Sequence, residues 1–287
     1  MNDLTFIVLD IDGGEMLARC VESMRRQTVR PDRIIILDNG SNVPSWTRIS
    51  GPDLLLARSD TNMGFAGGIN EAMKDVTTRF VAWINNDVVL APEWAERVLS
   101  AVSASDDIAG AQSIVMRPDR RIDGAGISVD GTISQIGHGQ TIDHPLPEEI
   151  WGVSATAALY RTEALHSIAV NGEILLSSLF AWYEDVELCA RLRKGGFRFA
   201  LVPEALAIHE GSKSAAVLPR SGLALRTRNR YVVHGLHKEI GNFKELLNED
   251  LRRVGGFLIR GHLISAMVLA REIGRALIHR AGNSRDE

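Results

Sequence analysis

Acidic side chains stand at the ends of several apolar runs in this sequence. Asp10, Asp38 and Asp87 each follow a run rich in Val, Ile and Leu, and Glu184 and Asp185 come directly before a helical pattern. A carboxylate can accept a hydrogen bond from a nucleobase N–H, bind a divalent metal or take a proton from a hydroxyl group. These five residues are therefore the first candidates for chemistry.

The adjacent pair Glu184 and Asp185 could supply a general base. Proton removal from an acceptor hydroxyl requires a base within hydrogen-bond reach, and a carboxylate in a pocket walled by Trp182 and Tyr183 would have a raised pKa suited to that task. Capping of the helix N-terminus is the alternative, because acidic residues are favoured there. For Glu184 we favour capping or an acceptor contact over catalysis.

The segment NMGFAGGIN, which begins at Asn62, places three glycines just before a helical pattern. Gly64, Gly67 and Gly68 allow close backbone approach, and the free N–H groups of a helix N-terminus suit phosphate or ribose oxygens. Asn62 and Asn70 could contact a donor or hold the loop. Close packing of the helix on a sheet is the alternative use of such glycines, and we expect one of the three to serve it.

Strand and helix patterns alternate along the first hundred residues. Apolar runs typical of strands begin at Leu4, Arg33, Leu54 and Phe80. Helical patterns are EMLARCVESMRRQT, GGINEAMKDV and PEWAERVLSAV. Repeated units of this kind form a mostly parallel sheet flanked by helices, with ligands bound beyond the carboxyl ends of the strands. We therefore expect Asp10, Asp38 and Asp87 to face one crevice.

The composition is that of a folded protein with a substantial core. Of its 287 residues, 45% are hydrophobic and 24% are charged, which fits one large domain or one domain with an appendage. Residues from Pro219 onward carry 13 Lys and Arg against 7 Asp and Glu, whereas the earlier residues carry 19 against 29. Cys20 and Cys189 lie far apart and no signal-peptide pattern precedes the first strand, so we expect a reducing, cytoplasmic setting.

The first strand ends in LDIDGG, which resembles the nucleophile motif of haloacid-dehalogenase-type phosphatases. The resemblance would make Asp10 the residue that attacks phosphorus and Asp12 the acid and base. Such an enzyme also needs a hydroxyl at a later strand end, a lysine and a paired-aspartate metal loop, and the sequence offers no convincing set. The phosphatase is therefore kept only as a minor alternative.

An ordered series of motifs points to a different family. The series is LDNGSN (37–42), NMGFAGGIN (62–70), INNDVV (84–89), WGVSATAALYRTEAL (151–165), FAWYEDVELCARLRKGGFRFALVPEALAIHEGS (180–212) and RTRNRY (226–231). From about residue 4 to about residue 235 the chain resembles the family 2 glycosyltransferases of the GT-A fold, particularly the bacterial rhamnosyltransferase-like members. A series in order is far more specific than any one motif.

The resemblance implies an α/β fold of the GT-A type, which is Rossmann-like, with a mostly parallel sheet flanked by helices and a C-terminal helical appendage. Residues 1–218 would form the glycosyltransferase domain, with a nucleotide-binding half at about 1–115 and an acceptor and catalytic half at about 116–218. Residues 219–287 would form a basic helical extension.

On the donor side, Asp38 can accept a hydrogen bond from a pyrimidine N–H, and Asn85 can reach ribose hydroxyls. Asp10, Ile11 and Asp12 replace the Thr-Tyr-Asn-like triplet that the family usually carries, so we expect extra carboxylates near the base or ribose and leave the donor's identity open. The expected donor contacts are Asp10, Asp38, Asn62, Gly64, Gly67, Asn70, Asn85, Asn86 and Arg228.

INNDVV occupies the place of the family's DXD motif, which holds a divalent metal against the diphosphate. Its first aspartate is Asn85 here, so Asp87 would carry the metal, and the resemblance implies that His209 completes the coordination. Oxygen ligands suit Mg²⁺ or Mn²⁺, and the imidazole favours manganese. Asp185 matches the family's general base. The expected acceptor-side contacts are Trp151, Gly152, Trp182 and Glu184.

Residues 254–278 predict a single amphipathic helix in which Arg260, Arg271 and Arg275 lie opposite a broad apolar face. Charged residues interrupt its apolar stretch, which argues against a simple membrane span. Packing on the domain or on a second subunit of a homodimer is one expectation, and contact with a membrane surface is the other.

The motifs together predict an inverting, metal-dependent glycosyltransferase. It would move a sugar, with rhamnose as the favoured guess, from a dTDP- or UDP-sugar to a saccharide or lipid-linked saccharide in cell-surface polysaccharide synthesis. We expect no nucleic-acid partner, and a cytoplasmic protein that could be peripheral at the inner face of the plasma membrane. A non-catalytic module that binds nucleotide sugars is the alternative from another class, encouraged by Asn85 and the altered first loop.

Overall fold

The computed structural model describes residues 3–44, 47, 49–211 and 219–283. They form two compact units. The larger unit holds the main sheet and the helices up to Lys194, and the smaller unit holds the three C-terminal helices together with Val129–Ser134 and Ala181–Tyr183.

Eleven strands are present in the described chain. They are β1 (Leu4–Asp10), β2 (Arg33–Asn39), β3 (Leu54–Ser59), β4 (Phe80–Asn85), β5 (Val88–Leu90), β6 (Ile108–Met116), β7 (Ile122–Gly124), β8 (Ile127–Ser128), β9 (Ser134–Gln135), β10 (Ala157–Arg161) and β11 (Arg198–His209). Nine of them form the main sheet in the order β3-β2-β1-β4-β10-β6-β11-β5, with β7 paired to β6, while β8 and β9 pair separately.

Most strands of the main sheet run in one direction, as the alternating pattern predicted. β1 is parallel to β2 and β4, β2 is parallel to β3, and β6 is parallel to β11. β10 runs antiparallel to both β4 and β6, so β6 and β11 point the same way as β4. The carboxyl ends of β1, β2, β4 and β11 therefore lie along one edge of the sheet.

Helices of the larger unit cover both faces of the sheet. They are α1 (Glu15–Arg25), α2 (Gly64–Met73), α3 (Trp94–Ser103), α4 (Thr162–Ser167) and α5 (Glu184–Lys194), with a short 3-10 helix at Ser177–Leu179.

The core has two layers because side chains alternate along each buried strand. Phe6 and Val8 face the layer that contains Trp94 of α3 and the apolar side of α1. Ile7 faces the opposite layer, where α2, α4 and α5 pack. Burial of both faces explains why β1, β2 and β4 are continuous apolar runs, and it leaves polar side chains to collect at their ends.

The smaller unit contains α6 (Pro219–Leu236), α7 (Phe243–Ile259) and α8 (Leu263–Asn283). Tyr231, Leu246, Leu269 and Ile273 form its core. Arg230 is buried there and pairs with Asp250. Among the described helices, none is both long enough and apolar enough to cross a bilayer.

The prediction of one continuous helix over residues 254–278 is wrong. The chain turns between Ile259 and Leu263, where Gly261 has a φ of 73°. Glycine adopts this left-handed conformation without the steric cost that a Cβ would impose. The arginines Arg260 and Arg271 consequently lie on different sides of a helical hairpin turn rather than on one helix.

Candidate active site

Asp10 is the last residue of β1 and Asp38 the last but one of β2, and the two are opposite each other in the sheet register. Asp10 is buried, and its Oδ1 accepts a hydrogen bond of 2.6 Å from the side-chain amide of Asn86. Its Oδ2 accepts the N–H of Gly13 at 3.3 Å. A Cβ on Gly13 would lie 2.0 Å from Asp10 Oδ1, so this glycine lets the loop close over the carboxylate.

Asp38 is fully buried at the end of β2 and is held by an arginine that the sequence analysis did not single out. Arg58 Nη1 donates to Asp38 Oδ2 at 2.6 Å, and the N–H of Ser41 donates to Oδ1 at 2.8 Å. Asp12, in contrast, has a structural role in the same region, since its carboxylate accepts the backbone and side-chain N–H groups of Asn42.

The glycine-rich segment begins α2 at the same edge of the sheet. Gly64 has a φ of 74°, and a Cβ there would come 2.4 Å from the carbonyl oxygen of Phe180. Asn62 Oδ1 accepts the N–H of Gly64 at 2.8 Å, which shapes the turn into the helix. A Cβ on Gly67 would approach only Met63, at 3.0 Å, while one on Gly68 would meet Leu9 at 2.8 Å. Gly68 therefore serves helix-on-sheet packing.

Asn70 holds a loop. Its Oδ1 accepts the N–H groups of Ile174 and Leu175, and its Nδ2 donates to the carbonyl of Leu175 at 2.7 Å and to Ser177 Oγ at 3.1 Å. Of the two roles expected for Asn70, holding the loop is the one these contacts serve.

His209 lies between two carboxylates at the end of β11. β5 pairs antiparallel with β11, which sets Val88 opposite His209 and brings the preceding Asp87 next to the imidazole. His209 Nε2 is 3.2 Å from Asp87 Oδ1, and His209 Nδ1 is 2.7 Å from Asp123 Oδ2 in β7. The pair predicted from the motifs is thus brought together, with Asp123 added to it.

The two carboxylates control the protonation of this histidine. Burial alone would lower the pKa of His209, but the hydrogen bond to Asp123 and the negative charges of Asp87 and Asp123 outweigh it and raise the pKa to about 9. Burial alone would raise the pKa of Asp123, but the hydrogen bond and positive charge of His209 lower it below its usual range. At a pKa of about 9 the imidazole is protonated near neutral pH.

The residues present fit a divalent metal that also binds a substrate. His209 Nε2 is buried and has no hydrogen-bond partner among the described residues, and it faces the Asp87 carboxylate. The bond from Nδ1 to Asp123 leaves Nε2 as the ligand atom, an arrangement common around metal-bound histidines. The described residues contain no cluster of three or more His, Cys, Asp or Glu suited to a metal, so the remaining ligands would be substrate oxygens and water.

A cavity of about 160 Å³ adjoins Asp123. Its polar lining includes Gln112, Asp123, Gln135, His138, Ser154 and Thr156. Asp123 connects this lining to His209, and the backbone N–H of Ala155, between Ser154 and Thr156, donates to Asp185 Oδ2 at 3.4 Å. The backbone N–H of Asn85 donates to the carbonyl of Thr156 at 3.0 Å, which fixes the 154–156 segment against the end of β4.

Glu184 is buried and Asp185 is half-buried in the first turn of α5. Burial raises the pKa of Asp185, although the N–H groups of Val186 and Ala155 and the hydroxyl of Ser154 oppose the rise. Burial raises the pKa of Glu184 well above its usual range, and the charge of Asp185 adds to it. Glu184 Oε2 has no hydrogen-bond partner among the described residues. Burial therefore favours the protonated form of Glu184 more strongly than that of Asp185, whose carboxylate accepts two backbone N–H groups.

The two acceptor-side candidates in the larger unit have identifiable contacts. Trp151 is half-buried, and the guanidinium of Arg193 lies 5.8 Å from the centre of its ring. Gly152 does allow a close approach, but the approaching group is Cys189, whose Sγ would be 2.8 Å from a Cβ at that position. The glycine therefore serves the packing of α5.

Two further candidates belong to the smaller unit. Trp182 has a φ of 66° and lies under the guanidinium of Arg226, and the neighbouring Tyr183 has a φ of 70°. The side-chain amide of the buried Asn229 donates to the carbonyl oxygens of Ala181 and Trp182 at 2.8 and 2.9 Å and holds this strained backbone. Arg228 donates to Asn229 Oδ1 at 3.0 Å.

The sequence is similar to a family of known proteins and to individual bacterial proteins. The sequence matches the family model "Glycosyl transferase family 2" over residues 12–169. It is 23% identical over 305 residues to the N-acetylglucosaminyl-diphospho-decaprenol L-rhamnosyltransferase of Mycobacterium tuberculosis, with 96% of each chain covered. It is 26% identical over 230 residues to an uncharacterized Sinorhizobium fredii protein, y4gI, and that match covers 74% of this chain but only 25% of the longer protein.

Solved structures share the fold at low sequence identity. S. aureus TarS 1–349 in complex with UDP-GlcNAc superposes with a TM-score of 0.64 at 16% identity, covering 95% of this chain and 80% of that one. Mannosyltransferase PcManGT from Pyrobaculum calidifontis, in complex with GDP-Man and Mn²⁺, superposes with a TM-score of 0.58 at 16% identity, covering 98% and 75%. The predicted fold class is confirmed.

Proposed function

The chain belongs to glycosyl transferase family 2, and from that membership we propose that it is an inverting, metal-dependent glycosyltransferase that uses a nucleotide-diphosphate sugar. One observation carries the proposal. The facing pair Asp87 and His209 is connected through Asp123 to a polar cavity, and Asp185 accepts the N–H of Ala155, which lies between the lining residues Ser154 and Thr156. The cavity lining therefore contacts both the pair proposed for the leaving diphosphate and the proposed general base.

The donor would bind along the carboxyl edge of the sheet. Asp38, oriented by Arg58, is the proposed partner of the nucleobase, and Asn85 and Asn86 are proposed to contact the ribose beside Asp10. The turn into α2, shaped by Asn62, Gly64 and Gly67, is proposed to admit the donor, with Asn70 holding the neighbouring loop. Arg228 remains a proposed donor contact.

Asp87 and His209 are the residues proposed to hold the metal. When bound there, a divalent ion would neutralise negative charge on the leaving diphosphate. Asp123 would keep Nδ1 of His209 protonated and its Nε2 available as a ligand. The imidazole and the PcManGT complex with Mn²⁺ support manganese over magnesium.

Asp185 is proposed as the general base. Its carboxylate would take the proton of an acceptor hydroxyl while that oxygen attacks the anomeric carbon on the face opposite the diphosphate, which inverts the configuration. Burial raises the pKa of Asp185 and so makes it a stronger base than an exposed aspartate. Glu184, Trp151 and Trp182 are the proposed acceptor contacts, and Gly152 supports them through its packing on α5.

Rhamnose carried by dTDP is the favoured donor, with UDP-sugars next. The mycobacterial relative, an N-acetylglucosaminyl-diphospho-decaprenol L-rhamnosyltransferase, supports rhamnose and a lipid-linked saccharide acceptor, and the TarS complex with UDP-GlcNAc supports the uridine alternative. We place the enzyme in cell-surface polysaccharide synthesis at the cytoplasmic side of the membrane. The boundary between a glycosyltransferase domain at 1–218 and a helical extension at 219–287 is part of this proposal, as is a homodimer.

A thermal-shift panel of nucleotide sugars with and without Mn²⁺ tests the donor and metal together. A donor bound at a hundredfold excess over its dissociation constant would add about 2.7 kcal/mol to stability. We expect dTDP-rhamnose with Mn²⁺ to give the largest rise in melting temperature, and the rise to disappear in Asp87→Ala. Equal melting temperatures across the panel would contradict the proposal.

A non-catalytic module that binds nucleotide sugars is the second candidate. Two features favour it. Asn85 stands where a DXD motif has an aspartate, and Asp87 and His209 are the two protein ligands proposed for the metal. Slow release of free nucleotide from a bound donor, without acceptor, would identify an enzyme. A donor that binds and remains intact, with or without sugar acceptors, would identify the module.

A further inference from the structure

The hairpin between α7 and α8 exposes large apolar side chains next to arginine. We define the hairpin surface as Leu258, Ile259, Arg260, Leu263, Ile264 and Met267. The exposed fractions of Ile259, Met267 and Leu263 are 88%, 70% and 60%. Contiguous exposed apolar groups of this size usually mark an interaction site.

These side chains are not needed for the core of their own unit. α8 packs inward through Leu269 and Ile273. Leu263, Met267, Leu277 and Ile278 lie within an arc of roughly 100° on a different side of the same helix. All four are exposed. The helix therefore has a second apolar stripe, which continues from the turn toward its C-terminal end.

The charges around the stripe have one sign. From Leu251 to Arg271 the sequence contains four arginines and a histidine but no aspartate or glutamate. The flanking acids Asp250 and Glu272 are buried and paired with arginines, so they contribute little negative charge to the surface. Arg253 and Arg271 pair with these two acids, whereas Arg252 and Arg260 have no acidic partner among the described residues. Exposed apolar groups beside such basic groups are the combination that binds an anionic lipid surface.

A second copy of this chain fits the same surface less well. A twofold contact places the same patch on both subunits, so a contact centred on the turn would bring Arg260 of one copy close to Arg260 of the other. The patch offers no acidic side chain to pair with them. Phospholipid headgroups supply that negative charge, and the acyl region accepts the apolar side chains.

We propose that the hairpin surface docks this protein onto an anionic bilayer, with Ile259 and Met267 inserted at the headgroup boundary and Arg260 on the phosphates. The proposal does not depend on the sugar-transfer activity, because docking is measured without nucleotide, metal or acceptor.

Vesicle co-sedimentation of the full chain tests the proposal. The probes are vesicles of phosphatidylcholine alone and of phosphatidylcholine with about one third phosphatidylglycerol. We expect binding to the anionic vesicles that weakens when salt rises from ~0.1 to ~1 M, which shortens the screening length from ~10 to ~3 Å. Arg260→Gln should weaken binding about fivefold, as expected for one basic residue near such a surface. Ile259→Ser with Met267→Ser should weaken it at least about tenfold.

Matched controls are Leu236→Ser, an exposed apolar residue of α6 outside the hairpin surface, and Arg26→Gln on α1. Both should bind vesicles like the wild type. The altered side chains of the test variants are exposed, and unchanged melting temperatures will show that the fold is retained.

Three results would overturn the proposal. Equal binding of the wild type and the Ile259→Ser/Met267→Ser variant would place the contact elsewhere. Absence of vesicle binding, with a wild-type dimer that the double variant converts to a monomer, would assign the surface to a second copy. Absence of vesicle binding by a monomeric wild type would leave the surface with neither occupant.

Discussion

The imidazole of His209 is hydrogen-bonded to Asp123 through Nδ1 at 2.7 Å while its Nε2 faces Asp87 Oδ1 at 3.2 Å. The ring therefore connects Asp87, a predicted metal ligand, to Asp123 in the three-residue strand β7. The two contacts give the ring a fixed orientation. In the proposed metal site, Asp123 would orient His209 without binding the metal itself.

Asp123→Asn should weaken manganese affinity by about 10- to 100-fold, because the histidine loses the charged partner that orients it. Titration of free Mn²⁺ followed by electron paramagnetic resonance measures this directly and needs no sugar transfer. Asp119→Asn, an exposed neighbour beside Arg117, is the matched control and should bind like the wild type. Unchanged affinity in Asp123→Asn would remove Asp123 from this role.

Stability of the metal-free protein should fall as pH rises through about 9. The folded pKa of His209 lies at about 9, above the value of 6.5 for an unfolded histidine. The proton is therefore held more tightly in the folded state, so its stabilising effect is complete below pH 6.5 and is lost as pH rises toward 9 and beyond.

Melting temperatures in EDTA across this pH range measure the effect. His209→Gln should flatten the part of the profile between those two pKa values, because other groups titrate similarly in both proteins. Parallel profiles for the two proteins would contradict the raised pKa of His209.

Asp185→Asn should reduce sugar transfer by at least about a hundredfold while leaving donor binding and melting temperature near those of the wild type. The amide oxygen can still accept the N–H of Val186, but the side chain can no longer take a proton. Glu184→Gln should have a milder effect, since a glutamine resembles the protonated form that burial favours. Transfer at the wild-type rate in Asp185→Asn would place the base elsewhere.

Arg58→Gln should destabilise the protein by ~2–4 kcal/mol, because it leaves the carboxylate of Asp38 buried without its cationic partner. Arg97→Gln removes an exposed ion pair with Glu204 and should cost ~1 kcal/mol or less. Urea denaturation of both variants measures the two values. Equal losses in the free energy of unfolding would show that the Arg58–Asp38 pair stabilises the fold no more than a surface pair does.

The sequence predicted which acidic residues lie at the carboxyl edge of the sheet better than it predicted the side chains that contact them. Asp10, Asp38 and Asp87 could be assigned to one edge because parallel strands expose their carboxyl ends together, and LLLARS matches β3 at both ends. Arg58 follows from the same rule, since it is the last residue but one of β3 and lies opposite Asp38 in the register.

Other features could not be read from local patterns. Asp123 lies in a short strand with little apolar periodicity, and its proximity to His209 depends on how β7 pairs with β6. The contacts of Asn70 and Gly152 arise from the packing of distant segments. The turn at Gly261 interrupts a pattern whose apolar spacing continues on both sides, so periodicity alone predicted one helix.

The left-handed backbone conformation of Trp182 and Tyr183 should lower the free energy needed for local opening of this segment. Residues other than glycine pay roughly 1–2 kcal/mol each for this conformation. Local opening of the segment releases that energy, so its amides should exchange with deuterium sooner than those of the core strands despite the clamp by Asn229. Glu184 and Asp185 follow immediately in the sequence. Local opening of Trp182 and Tyr183 would therefore allow the backbone before this carboxylate pair to adopt other conformations.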